Sequence, residues 1–256
     1  MLDLTDAQLQ AWVSAFMFPL TRILGIFTSA PLLGHSSVPI RSRVGLGFFI
    51  ALLVAPTLPA ASAPDLLSWY GLLLLAQQFV IGVGIGFVMS LVFTGVEMAG
   101  ELMGMTMGLG FATFFDPQSK GRSSVVSQFL SLLTLLLFMA TDFHLLMIES
   151  LVQSFHTLPI ELNALHRGSL GQIAYWGASI FSTGVQIALP VVTALLFANM
   201  ALGVLTRAAP QLNLFGIGFP ITMTVGYVML GLCLPYWSTP ILRLLQAALD
   251  MIRRLN

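Results

Sequence analysis

The sequence predicts an all-α integral membrane protein with broken helices and hairpins, assembled into a larger helical complex. Charged residues are only 8% and hydrophobic residues 57% of the 256 residues, against roughly 25% and 45–50% in soluble domains. Several apolar runs are long enough to cross a hydrocarbon core of about 30 Å. Prolines interrupt these runs at positions 19, 190 and 235, and in a bilayer neighbouring protein must satisfy the backbone groups that a broken helix frees.

The first apolar run, Leu9 to Leu33, contains Pro19, which predicts a kink, and Arg22. An unpaired arginine at the centre of a bilayer costs about 2.5 to 3.5 kcal/mol. Two interpretations of Arg22 stay open: it reaches a headgroup region, or it forms a buried ion pair with Glu97 or Glu101.

Residues 30–45 form a connector bounded by proline and glycine, and residues 44–58 form an apolar run that is short for a span. Residues 66–93 are the strongest hydrophobic segment. Gly82 and Gly86 in that segment are spaced for close helix packing, and its two adjacent glutamines need partners on another helix. We expect a kink after residue 93 and then a second helix.

The second half of the chain predicts further broken helices. The pattern of residues 125–155 predicts a helix that is interrupted at Asp142 and His144. These two polar residues mark either a break in the helix or the level of the membrane–water interface. Residues 170–206 are too long for one straight span, so two helices or one helix broken at Pro190 are expected. Residues 219–249 are expected to break near positions 235 and 240.

The charge pattern does not fit six ordinary crossings. If all the basic connectors between the crossings lie on the cytoplasmic side, the arginines at 253 and 254 lie on the opposite side, against the positive-inside rule. One of the long segments is therefore expected to be a hairpin, or the chain does not cross in the ordinary way.

The stretch from residue 97 to residue 122 combines a helix with an apolar loop. Glu97 and Glu101 share one helix face, and Gly100, Gly104 and Gly108 share a neighbouring face that suits close backbone contact. The helical pattern stops at Gly108 and is followed by an apolar, phenylalanine-rich segment that ends at an Asp-Pro pair.

Two interpretations of this loop are open. It is either a structural turn whose phenylalanines enter the headgroups, or a gate over a conduit. Unpaired backbone in lipid costs several kcal/mol per group, so the loop must lie against protein or in a cavity. A flexible apolar segment lining a cavity fits a gate.

The sequence contains none of the motifs that would support an enzyme or a cofactor site. No phosphate-binding loop and no H-E-x-x-H zinc motif occur, and the four histidines lack ligand spacing. Zero net charge removes any basic field for nucleic acid, and the single cysteine, Cys233, cannot form a disulfide within the chain. The Glu97 and Glu101 pair could carry a proton or a cation, or could serve structural hydrogen bonding. No metal and no cofactor is predicted.

Three long motifs, at residues 22–46, 100–117 and 188–220, together resemble the FliR/SctT family of type III export-gate proteins. The likeness covers nearly the whole chain and favours the flagellar over the injectisome branch, which stays an alternative. The resemblance implies a non-enzymatic gate subunit in the bacterial inner membrane and flagellar basal body. It also implies several copies of FliP and FliQ as partners, with FlhB and FlhA nearby, and unfolded flagellar proteins as the exported substrates.

Within one membrane domain, the resemblance implies a FliP-like part at about residues 1–165 and a FliQ-like hairpin at about 166–256. It also assigns a hydrophobic plug to ten consecutive residues: Gly108, Leu109, Gly110, Phe111, Ala112, Thr113, Phe114, Phe115, Asp116 and Pro117. Arg22, Glu97, Gly100, Glu101 and Gly104 are predicted to be buried polar or packing positions around it.

Two other functions compete with this one. An autonomous ion-coupled transporter would use the broken helices and the glutamate pair, but no clear internal repeat supports it. A scaffold without a conduit would tolerate any substitution in the phenylalanine loop.

Overall fold

A computed structural model of the chain describes residues 6–58, 66, 68–110, 124–161, 167–209 and 214–255. These residues are almost entirely helical, and no strand occurs among them. Five helices are long and apolar enough to cross a membrane, or up to six if the pair broken at Asp142 counts as one span. The predicted class, an all-α membrane protein, is confirmed.

Eight α-helices occur in the described ranges. A single 3-10 turn, Ala55–Thr57, follows the second of them. In chain order the helices are α1 Asp6–Ser29, α2 Ile40–Val54, α3 Trp69–Thr106, α4 Val125–Ala140, α5 Phe143–Thr157, α6 Arg167–Gly177, α7 Ser179–Ala208 and α8 Leu214–Leu255.

The helix break predicted around Asp142 is confirmed. Asp142 has a φ of 59°, a left-handed conformation that is uncommon for a residue other than glycine. Its carbonyl accepts hydrogen bonds from the backbone N–H groups of Leu145 and Leu146, at 2.9 and 3.2 Å. Asp142 is thus the N-cap of α5, two residues after α4 ends at Ala140.

One expected break is absent, and the two helices expected over residues 170–206 are present but do not meet at the proline. Helix α8 runs without interruption through Pro220, Pro235 and Pro240, so the break expected near 235 and 240 is wrong. The break between α6 and α7 lies at Ala178, and α7 continues through Pro190. A proline removes one helical hydrogen bond, whereas ending the helix in an apolar medium would leave several backbone groups unpaired.

Helix α3 is also longer than predicted. It is continuous over 38 residues and joins the hydrophobic segment at 66–93 to the glutamate and glycine helix, with no break at Gly95. An added Cβ at Gly95 would lie 3.2 Å from the side chain of Thr183. Gly95 therefore serves close packing between α3 and α7.

The described residues form two compact units. One comprises those within Met1–Ser90, Asp142–Gly177 and Gln246–Asn256, and the other those within Leu91–Thr141 and Ala178–Leu245. Each unit has its own buried apolar side chains. These units do not test the FliP-like and FliQ-like division, which stays a prediction.

In the first unit, α1 and α3 pack with their backbones in close approach. A Cβ added at Gly82 would lie 2.0 Å from the carbonyl oxygen of Arg22, and one at Gly86 would lie 2.8 Å from that of Ile26. On the opposite helix, a Cβ at Gly25 would lie 2.5 Å from the carbonyl oxygen of Phe79. The close packing predicted from the Gly82 and Gly86 spacing is confirmed.

In the second unit, the last turns of α3 pack against the first turn of α4. A Cβ added at Gly100 would lie 2.3 Å from the Cα of Ser127, and one at Gly104 would lie 2.7 Å from the Oγ of Ser124. Phe93 and Phe138 form an edge-to-face pair with ring centroids 5.6 Å apart. This packing holds together α3 and α4, the two helices that the intervening segment connects.

Candidate functional site: the anchors of the 107–123 segment

The segment that follows α3 begins at a well-defined helix end. The backbone N–H of Gly108 donates to the carbonyl of Met105 at 3.1 Å, and that of Leu109 donates to the carbonyl of Gly104 at 2.9 Å. Gly108 has a φ of 87°. This pair of bonds around a left-handed glycine is the Schellman motif, which satisfies carbonyls at a helix C-terminus. The helical pattern therefore stops at Gly108, as its sequence predicts.

Met107, the residue before this glycine, is held by α8. The hydroxyl of Thr222 lies 3.3 Å from the carbonyl oxygen of Met107 and shares its single hydrogen between that oxygen and the Phe219 carbonyl, which is 3.0 Å away. The Met107 side chain lies against the backbone of Gly226, where an added Cβ would be 2.5 Å from its Cγ. Both Met107 and Thr222 are buried. The start of the segment is thus fixed to a helix more than 100 residues later in the chain.

The other end of the segment is fixed at Ser124, the N-cap of α4. The Ser124 side chain accepts a hydrogen bond from the N–H of Ser127 at 3.1 Å, as N-cap serines do. The Ser124 N–H donates to the Glu101 carboxylate at 2.7 Å, and its hydroxyl donates to the carbonyl of Gly100 at 3.2 Å. A carboxylate at a helix N-terminus also interacts favourably with the helix dipole.

Glu97 lies one turn earlier on α3 and is exposed on the single chain. Its carboxylate accepts a hydrogen bond from the Ser131 hydroxyl at 2.9 Å, and its backbone carbonyl accepts one from the Ser127 hydroxyl at 2.9 Å. Both glutamates of the predicted pair therefore bond to donors of α4 and its N-cap. These are structural hydrogen bonds that tie α3 to α4.

Arg22 is fully buried in the first unit and bonds to neutral acceptors. Its guanidinium donates to the Gln78 Oε1 from Nε at 2.8 Å and again from Nη2. It also donates to the carbonyls of Ser154 and Leu158, both at 2.8 Å, and lies over the Phe155 ring, 4.2 Å from its centroid. Neither expected alternative, a headgroup contact or an ion pair with a glutamate, describes this site.

Sequence reasoning found part of this cluster in advance. The predicted need of the adjacent glutamines for partners on another helix is met for Gln78, which accepts from Arg22 of α1, whereas Gln77 donates to the carbonyl of Glu161, which lies beyond the end of α5, at 2.9 Å. The partners that Ser154 and Leu158 supply are mostly main-chain carbonyls. No residue type could have indicated them.

The ten residues assigned to the plug are only partly described. Gly108, Leu109 and Gly110 lie at the end of α3, and the residues from Phe111 to Pro117 fall outside the described ranges. The plug assignment stays a prediction. In the part of the chain that the structure covers, no group of three or more histidine, cysteine, aspartate or glutamate side chains could hold a metal ion.

The fold is that of an all-α membrane protein in which hydrogen bonds and close packing hold the end of α3 and the N-cap of α4. The model of the family "Bacterial export proteins, family 1" matches residues 13–248 of the chain. The flagellar biosynthetic protein FliR of Pectobacterium carotovorum is 46% identical over 235 residues, which are 92% of this chain and 90% of that protein. The chain belongs to this FliR family of bacterial export proteins.

Other members of the family match this chain over a similar share of its length. The Escherichia coli FliR is 42% identical over 92% of this chain and 90% of its own length. The Bacillus subtilis FliR is 27% identical over 94% of both chains. The similarity therefore includes both described units and the segment between α3 and α4.

Proposed function

We propose that this chain is a core subunit of the flagellar type III export gate, where it forms with several copies of FliP and FliQ the channel for unfolded flagellar proteins. FlhB and FlhA are proposed as further neighbours, and the bacterial inner membrane at the flagellar basal body as the location. Membership in the bacterial export family and similarity to flagellar biosynthetic proteins along nearly the whole chain support the proposal.

The same proposal assigns a FliP-like part to about residues 1–165 and a FliQ-like hairpin to about 166–256. The hairpin is supported by α7 and α8, which are consecutive, joined at residues 209–213, and line a common cleft. Much of their surface is free for partners, since only 28% and 22% of the residues in their candidate spans are buried in the single chain.

We propose that the subunit is not an enzyme, and that residues 108–117 plug the channel while it is idle. The observation that carries the plug is the pair of anchors around this segment, at Gly108 and at Ser124. An apolar segment whose two ends are fixed stays at the narrow passage that it seals. Its phenylalanines exclude water and ions from that passage. Opening then needs movement only between the anchors, where glycines leave the backbone free.

Deletion of residues 110–115 tests the plug. We expect the variant to assemble, because both anchors are retained, and to raise the ion conductance of the cell membrane. The measurement is the conductance or proton leak of cells that express the variant, with assembly followed by co-purification of FliP and FliQ.

A matched pair of variants distinguishes loss of the seal from loss of the fold. Replacement of Phe111, Phe114 and Phe115 by leucine keeps the apolar bulk and should keep the seal, whereas serine at the same positions should leak. Membrane conductance that does not change in the deletion variant would refute the plug.

A further inference from the structure

A half-open cleft of about 530 Å³ lies between α7 and α8 in the second unit. Its volume is within the range of small-molecule sites. Ile187 and Trp237, both buried, form its apolar floor, and Pro190 lies on the α7 wall. The α7 residues that line it span Thr183 to Pro190, a length of roughly 10 Å at about 1.5 Å per residue.

One end of the cleft carries an unpaired cation. Arg243 of α8 lines the cleft and is exposed. No acidic side chain lines the cleft, and the one ion pair within the described residues joins Arg253 to Asp250. Because Arg243 belongs to an apolar candidate span, Gly216–Arg254, its charge is unfavourable there unless an anion or water meets it.

The walls of the cleft also offer hydrogen-bond acceptors. Pro190 and Pro240 have no N–H to give to the carbonyls four residues earlier, which are those of Gln186 and Tyr236. Both of these residues line the cleft. A ligand with an anionic group, a neighbouring hydroxyl or amine, and a long apolar part would match the cation, the acceptors and the apolar floor together.

We propose that this cleft binds one anionic phospholipid of the surrounding membrane. Arg243 takes the phosphate, as basic pockets between membrane helices do, and an acyl chain lies along Ile187 and Trp237. The lipid would join α7 and α8 where their own side chains leave space.

Fluorescence of Trp237 tests the proposal directly, because this side chain forms part of the cleft floor. Replacement of Trp12, Trp69 and Trp176 by phenylalanine leaves it as the only tryptophan of the chain. The full chain is reconstituted in phosphatidylcholine vesicles that contain a small fraction of brominated phosphatidylglycerol or, separately, brominated phosphatidylcholine. Bromine on the acyl chain quenches a tryptophan that it contacts.

We expect the anionic lipid to quench with roughly fivefold higher apparent affinity than the zwitterionic one, the advantage of one arginine–headgroup interaction. Arg243→Gln should remove the preference. Arg253→Gln is the matched control, since it removes an arginine of the same helix that already pairs with Asp250, and it should keep the preference.

Three results would overturn the proposal. Equal quenching by both lipids would mean ordinary contact with the bilayer only, and a preference that survives Arg243→Gln would place the anion site elsewhere. A Trp237 that neither lipid quenches would mean that protein fills the cleft. If the tryptophan replacements prevent folding, native mass spectrometry of the original chain and of Arg243→Gln compares the retained phosphatidylglycerol, which should fall in the variant.

Discussion

At the scale of single residues, the sequence correctly predicted the role of Gly108 but not the partners of Arg22. Gly108 sits at a φ of 87° within a local motif, so the spacing of glycines along α3 was enough to place the helix end. The partners of Arg22 lie 56 to 136 residues away and are neutral. An expectation based on opposite charge could not find them.

Substitution of Gly108 by alanine should destabilise the end of α3. An L-residue in the left-handed conformation costs roughly 1 to 2 kcal/mol, so Gly108→Ala should lower the thermal unfolding midpoint of the detergent-solubilised protein. Gly203→Ala is the control, since its added Cβ meets nothing within 4 Å and alanine suits a helix. Equal midpoints for the two variants would contradict the motif.

Removal of the Arg22 side chain should be among the most harmful single changes. Arg22→Ala leaves the Gln78 amide oxygen and the Leu158 carbonyl without their donor, at about 1 to 3 kcal/mol for each unsatisfied group; the Ser154 carbonyl keeps the N–H of Leu158. The level of folded protein in the membrane, measured by fluorescence-detected size exclusion, should fall severely. Arg207→Ala, at an exposed arginine, should be tolerated.

A double variant separates the charge from the hydrogen bonds. Arg22→Met combined with Gln78→Leu replaces both polar partners by apolar groups, which often restores stability lost by removing one partner. We expect it to be more stable than Arg22→Ala. A double variant that is less stable would show that the site depends on the charge itself.

At the scale of helices, contact surfaces were easier to predict than helix continuity. Glycines spaced four apart correctly indicated where α3 packs closely against another helix, because two backbones can approach where a Cβ is missing, but they did not identify α1 and α4 as the partners. Continuity depends on what surrounds each proline. Two of the three prolines of α8, Pro235 and Pro240, were expected to break the helix because the sequence does not reveal how strongly its environment favours keeping the remaining hydrogen bonds.

Two neighbouring glycines of α3 provide a test of the α1–α3 contact. Gly82→Ala places a Cβ 2.0 Å from the Arg22 carbonyl oxygen, which forces the helices apart at a cost of about 1 to 3 kcal/mol. Gly84→Ala meets only the end of Ile173 at 3.4 Å and gains helix propensity. Thermal unfolding should rank Gly84→Ala above Gly82→Ala, and the reverse order would exclude the close approach.

At the scale of the whole molecule, the helices differ in how much of their surface the chain itself buries. The candidate span of α3 is 61% buried, whereas those containing α7 and α8 are 28% and 22% buried. Apolar side chains such as Phe181, Phe197 and Tyr236 are more than half exposed. Composition predicted the membrane class, but one sequence contains no information on which of these surfaces meets lipid and which meets protein.

The proposed gate assembly predicts that the chain depends on its partners. Co-expression with FliP and FliQ should raise the amount of folded protein extracted by mild detergent at least several-fold, because exposed apolar helix faces become covered. An unrelated membrane protein expressed in place of FliP and FliQ is the control. An equal amount of folded protein with and without FliP and FliQ would contradict the assembly and favour an autonomous transporter.

The contact of α8 with Met107 links the position of α8 to the start of the 107–123 segment. Thr222 and Gly226 contact the residue that immediately precedes Gly108, so a shift of α8 would displace the start of the 107–123 segment. In the proposed gate, a displacement of α8 would therefore be transmitted to the plug through Met107, and whatever triggers opening need not contact the plug itself.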